Sequence, residues 1–243
     1  MTFKNIHAIS FVIYVLFIVM NSKNYKLPRF KSFLIALMLL ICGYFAVLFA
    51  GWIESGFVKF GIINGIRVFA LSPFIVLLTS QVFNTKFEII GDCESAPLMV
   101  WFGLARAACL VNNCCHGFTY YEGSVMYELS YFLTGTGQFP IQIVEAIAAI
   151  VTGILLFAFA KSRNFETNGY LFSYMMIFYS LQRFIFEFFR DNEKIIKIAK
   201  IKSADGYIGI SNLSFWAIAM FVEGIIILWF LSRNNRNTLG KRK

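Results

Sequence analysis

Residues 179–192 read YSLQRFIFEFFRDN, and the solvent assigned to this stretch decides the fold. The residues before it, YLFSYMMIF (170–178), are almost wholly apolar and aromatic. They suit the interior of a bilayer, yet Arg183, Glu187 and Arg190 follow within two helical turns. At 100° per residue, Tyr179, Arg183, Glu187 and Arg190 fall within an arc of roughly 80°. The helix thus has one polar stripe and a wide lipid-compatible surface. A charge at the centre of a span costs about 2.5–3.5 kcal/mol on the lenient insertion scale, so such a stripe faces the protein interior. Two readings fit it. A self-satisfied ladder, Arg183 to Glu187 to Arg190, would hold helices in register. An anion site would use the surplus of two guanidinium groups over one carboxylate, because arginine offers paired donors to phosphate.

The rest of the chain agrees with a membrane setting. It has 243 residues, of which 58% are hydrophobic and 14% charged, against about 25% charged in an ordinary soluble domain. Seven apolar segments can be drawn, at 5–20, 33–53, 61–83, 96–114, 139–160, 170–189 and 212–232, and spans of about 17–25 residues cross a bilayer. This predicts an all-α, polytopic membrane protein of about seven transmembrane helices in a single domain, 1–243. The sequence after Met20 has no small-residue cleavage site, so the first segment reads as a retained helix. Basic residues Lys23, Lys26, Arg29 and Lys31, then Lys161 and Arg163, then the tail 233–243, fall on one side of a seven-helix arrangement. The positive-inside rule makes that side cytoplasmic, with the N-terminus outside and the C-terminus inside. The segment near 194–205, KIIKIAKIKSAD, would lie outside and reads as amphipathic, resting on the leaflet. The net charge of +9 follows from these loops and implies no nucleic acid.

Further polar residues sit in or beside the apolar segments. Residues 103–117 read GLARAACLVNNCCHG, with Arg106, Cys109 and Asn113 on one helical face. The small residues around Arg106 allow close helix approach. Residues 139–152 read FPIQIVEAIAAIVT, placing Gln142 and Glu145 one turn apart. Glu145 is a natural partner for one of the arginines. The third segment begins GFVKFGIINGIRVF, and its glycines, Gly61 and Gly65 among them, suit a broken or re-entrant piece lining a cavity. Lys59, Asn64 and Arg67 add donors there. The five cysteines form no disulfide framework. Cys114 and Cys115 are adjacent rather than spaced C-x-x-C, and with His116 beside them they offer too few ligands at sensible spacing for a metal site, so neither metal nor organic cofactor is implied.

These blocks, in this order, resemble the prolipoprotein diacylglyceryl transferase family. GFVKFGIING (56–65) resembles its glycine-rich block and ARAACLVNNCCHG (105–117) its arginine signature. FPIQIVEA (139–146) is similar to its Pro-x-Gln-Leu-Tyr-Glu block, and YSLQRFIFEFFRDN to its Arg-Phe-x-x-Glu-Phe-Phe-Arg block. The resemblance implies transfer of diacylglycerol from phosphatidylglycerol to the cysteine thiol of a prolipoprotein signal peptide, in a bacterial cytoplasmic membrane. It implies Arg106, Arg183 and Tyr179 as catalytic residues. It also implies Glu187, Arg190, Gln142, Glu145, Asn113, Cys109, Gly61 and Gly65 as substrate-binding residues. The leaving group would be a phosphate ester, whose charge arginines stabilise. This chain departs from the pattern in four places. No histidine precedes the glycine-rich block, Ala105 and Ala108 replace signature glycines, Asn113 replaces a further glycine, and Val144 replaces a tyrosine. The same residues admit two other readings: a non-catalytic or repurposed paralogue binding anionic lipid or a secreted peptide, and a small transporter with a central anion site.

Overall fold

The computed structural model describes residues 3–57, 65–112, 114–190, 197–203 and 206–240. Lys59, Gly61, Asn64 and Asn113 lie outside them. Seven long helices follow the seven apolar segments: α1 (Phe3–Asn21), α2 (Arg29–Glu54), α3 (Gly65–Val82), α4 (Phe87–Val111), α6 (Ile141–Ser162), α7 (Tyr170–Glu187) and α8 (Asn212–Gly240). Among the described residues, six of them are long and apolar enough to cross a membrane. The seventh, α7, has the length, but Gln182, Arg183 and Glu187 lower its hydropathy. The bundle is that of a polytopic helical membrane protein. Its outer surface carries Phe30, Phe45, Phe74, Leu155 and Phe230, all exposed, as a chain dissolved in lipid requires.

α4 is the central helix. It packs along α6 and α1 and touches α3 and α7, while α7 lies along α8. Glycines set the α4–α6 approach. A Cβ at Gly103 would sit 2.6 Å from Ile150 Cγ1 and 2.8 Å from the Ala146 carbonyl, and one at Gly153 would sit 2.8 Å from Val100 Cγ2. This is the small-residue packing that lets membrane helices come close.

Two expectations change. The fourth helix starts at Phe87, nine residues before the apolar segment drawn at 96. Its first turns carry Asp92 and Glu94, both buried. Asp92 is accommodated because it accepts the amides of Asn168 at 3.1 Å, Gly169 at 2.8 Å and Phe172 at 3.2 Å. It thereby caps α7, whose own N-cap, Gly169, has no side chain to do so. Glu94 accepts from the Tyr14 hydroxyl at 3.4 Å. The second change concerns 194–205. Its described part belongs to an antiparallel hairpin, β1 (Lys197–Ser203) with β2 (Gly206–Ser211), a paired form that the reading as an amphipathic segment on the leaflet did not foresee. The strands pair locally and lead into α8.

A further short helix, α5 (Val125–Thr134), was not expected. Ser124 caps it, its hydroxyl accepting from Tyr127 N at 3.2 Å, and Gly135 ends it at φ +72°. The C-terminal tail is helical as far as Gly240.

The basic loops gather at one end. Asn21 donates to the Cys93 carbonyl at 3.0 Å, and the rings of Tyr25 and Phe165 stand 5.7 Å apart. The loops bearing Lys23, Lys26, Lys161 and Arg163 therefore share an end with the start of α4. The end of α4, the start of α6 and the end of α7 meet at the opposite end.

Candidate active site

At that opposite end, three arginines and two glutamates form one buried cluster. The order starts with Glu145, four residues into α6 and 3% exposed. Arg183 NH1 donates to Glu145 Oε1 at 2.7 Å. Arg190 NH2 donates to both carboxylate oxygens, at 2.8 and 3.0 Å. Arg106 Nε lies 2.7 Å from Oε2, an ion contact rather than a well-aligned hydrogen bond. Glu145 is thus the common acceptor for all three guanidinium groups, not the partner of one. The expected ladder on α7 also forms: Arg183 NH2 is 2.8 Å from Glu187 Oε2, and Arg190 Nε is 3.7 Å from the same oxygen. Three cations against two anions leave a surplus of one positive charge away from water.

Aromatic rings hold the arginines in place. The Arg106 guanidinium lies 5.0 Å over the Phe102 ring, one turn back on α4. Tyr179 stacks on Phe69 at 4.0 Å and meets Phe102 edge-on at 4.9 Å. α3 supplies Phe69, and at its first residue, Gly65, a Cβ would lie 3.3 Å from Phe102. Arg67, also at this end of α3, is buried.

The cluster borders a small pocket of about 10 Å³ lined by Phe102, Glu145, Tyr179, Gln182, Arg183 and Phe186. Two donors beside it are unspent. The Tyr179 hydroxyl and Arg183 Nε are buried without a hydrogen-bond partner among the described residues. A buried donor left unpaired costs about 1–3 kcal/mol, so the arrangement favours an oxygen-rich anion that satisfies both.

The chain leaving α4 forms a strap across this end. Gly117 N donates to the Phe139 carbonyl at 2.9 Å, and Phe118 N to the Phe189 carbonyl at 3.1 Å. Gly117 thereby bridges to Arg190. A Cβ at Gly117 would stand 2.5 Å from the Phe189 carbonyl oxygen, so only glycine fits. Gln142, fully buried, donates to the Cys114 carbonyl at 2.6 Å and reaches His116 Nδ1 at 3.1 Å. It orients the strap rather than the arginines.

Arg106 NH1 is 3.9 Å from Cys109 Sγ. The fold also brings Cys109, Cys114 and Cys115 together, their sulfurs all within 4.8 Å of one another. The Cys115 thiol is held down to about 5, chiefly by its hydrogen bond with Cys109. Burial opposes this, and the Arg106 and Arg190 charges add to it. Burial pushes the Cys114 thiol up.

Arg106, Glu145, Tyr179, Arg183, Glu187 and Arg190 therefore converge, with Gln142 and Cys109 at the margin. Sequence reasoning missed Phe69, Phe102 and the strap glycine Gly117, whose roles come from packing between distant segments.

The sequence model of the family described as prolipoprotein diacylglyceryl transferase matches residues 6–230. A phosphatidylglycerol–prolipoprotein diacylglyceryl transferase 2 of Clostridium perfringens (strain 13 / Type A) is 27% identical over 194 residues, covering 77% of this chain and 67% of that protein. The family match takes in every helix that contributes to the arginine cluster, and the chain belongs to the prolipoprotein diacylglyceryl transferase family, multi-pass membrane transferases that modify lipoproteins.

Proposed function

We propose that the protein transfers diacylglycerol from phosphatidylglycerol to the cysteine thiol of a prolipoprotein signal peptide. The observation that carries this reading is the buried surplus of guanidinium charge, with the Tyr179 hydroxyl and Arg183 Nε unspent beside a small pocket. The pocket as it stands holds about one water molecule, so in this reading the phosphate enters as the lining side chains give way and the acyl chains stay in the bilayer. In the reaction, the thiol sulfur bonds to the glyceryl carbon that carries the phosphate. The carbon–oxygen bond breaks, its electron pair leaves with glycerol phosphate, and the thiol proton ends on that phosphate monoester.

Negative charge grows on the departing phosphate. Arg106, Arg183 and Arg190 lie where they would stabilise it, and Tyr179 would donate to one of its oxygens. Glu145 and Glu187 fix the guanidinium planes, so little reorganisation is needed as the charge develops. Gln142, Cys109 and Gly65 belong to this reading as residues around the cluster, and Gly61 and Asn113, outside the described residues, enter it as substrate-binding residues that the resemblance implies. The basic end of the bundle is cytoplasmic by the positive-inside rule. The site then opens towards the outer half of a bacterial cytoplasmic membrane, where a translocated signal peptide arrives.

The test is reconstitution with labelled phosphatidylglycerol and a lipobox peptide, read as the thioether-linked product by mass. Product formation is expected, and Arg183→Ala or Arg106→Ala should lower kcat by about 10²–10³-fold. Absence of product, while an active family enzyme works alongside, sinks the proposal.

A further inference from the structure

One cluster takes no part in the bond-making of that chemistry, although Cys109 also borders its site. Cys109 ends the polar face of α4, and Cys114 and Cys115 follow on the strap. Cys114 N donates to the Cys109 carbonyl at 3.1 Å, and its thiol reaches the same carbonyl at 3.6 Å. Cys115 adopts a left-handed φ of +63°. This turn folds the strap back on the helix end, so two cysteines adjacent in sequence meet a third from the preceding turn. All three are free thiols, with sulfurs within 4.8 Å of one another.

We propose that Cys109, Cys114 and Cys115 form a binding site for one soft, thiophilic cation, zinc(II) or copper(I). The linear spacing argued against a metal, but the left-handed turn supplies what the spacing lacks. Three sulfur donors select soft cations over oxygen-seeking ones such as magnesium. A zinc–sulfur bond of about 2.3 Å places tetrahedral sulfurs about 3.8 Å apart, so closure needs a contraction of about 1 Å. Copper(I) is satisfied by three sulfurs, whereas zinc keeps a fourth position for water. On binding, each sulfur that still carries a proton gives it to solvent, three metal–sulfur bonds form and no electron is transferred.

Charge favours the same assignment. Three thiolates leave the zinc complex with one negative charge and the copper(I) complex with two. The neighbouring arginine cluster carries one positive charge to spare, and Arg106 already lies 3.9 Å from Cys109 Sγ. A bound cation would clip the strap to α4. Through the Cys114 carbonyl it would steady Gln142, and through Gly117 it would steady Arg190.

The test uses the full-length protein in detergent, reduced and stripped of metal. Zinc(II) or copper(I) is added in separate arms, each against a chromophoric chelator. Cadmium(II) serves as a third probe, for thiolate-to-metal charge-transfer absorbance. One equivalent should bind per chain in the zinc or the copper arm, and the stronger competitor identifies the cation. Cys114→Ser and Cys109→Ser should each weaken binding by more than the roughly 10–100-fold that loss of an outer-shell partner costs. Cys42→Ser, on α2 and away from the cluster, should change nothing. Should Cys109→Ser fail to fold, the exposed Cys115→Ser carries the same expectation. Binding below a tenth of an equivalent in both arms, or equal binding by the Cys114→Ser, Cys115→Ser double variant, overturns the proposal.

Discussion

Replacing Glu145 by glutamine tests whether one carboxylate organises the arginine cluster. The side chain keeps its size, and the pocket keeps its shape. What is lost is the charge that Arg106, Arg183 and Arg190 share at 2.7–2.8 Å. The buried surplus rises from one positive charge to two, with only Glu187 left to offset it. Removing one partner of a buried ion pair costs about 3–5 kcal/mol, because the other charge is left uncompensated. At about 2–4 °C per kcal/mol for a chain of this size, Tm in detergent should fall by roughly 6–20 °C. Two companion measurements separate charge from packing. Adding Arg106→Gln to Glu145→Gln returns the surplus to one and should recover part of the loss. Glycerol phosphate should raise the Tm of Glu145→Gln more than that of the parent, since an added anion replaces the missing one. A variant that melts within about 1 °C of the parent, or a double variant whose losses simply add, would refute the idea that Glu145 is the shared acceptor.

Other outcomes follow from single contacts. Gly117→Ala should lower both stability and transferase activity, because its methyl group would meet the Phe189 carbonyl at 2.5 Å and push Arg190 from the cluster. Asp92→Asn replaces an acceptor of three backbone amides. It should cost about 1–3 kcal/mol and speed amide exchange at the start of α7, while kcat falls far less than in Arg183→Ala. Tyr179→Phe should keep Tm within a few degrees but reduce kcat if its unspent hydroxyl serves the leaving phosphate. Unchanged kcat would remove Tyr179 from the chemistry.

The seven long helices were legible because bilayer thickness imposes a length on apolar runs. The polar stripe on α7 was legible because helical geometry alone puts Tyr179, Arg183, Glu187 and Arg190 on one face. What the stripe meets was not: that Glu145 takes three arginines depends on how α4, α6 and α7 cross. The start of α4 was misplaced because Asp92 and Glu94 look too polar for a span, and their partners lie at Gly169 and Tyr14, far along the chain. The hairpin of Lys197–Ser203 with Gly206–Ser211 was obscured by the regular lysines, whose alternation with apolar residues suits a strand as well as a segment on a leaflet. The thiol cluster hid behind one left-handed residue, Cys115, whose φ no spacing rule reveals.

The glycine seam between α4 and α6 has a consequence for traffic. Gly103 and Gly153 bring the two helices so close that a single added carbon collides with Ile150 or Val100. Arg106 and Glu145, one on each side of the seam, are therefore spaced by backbone rather than by side-chain adjustment. For the transfer proposed above, parting these helices to admit a diacyl lipid would break that contact, so the proposal puts the lipid's way in elsewhere around the bundle, with the seam as a fixed jamb.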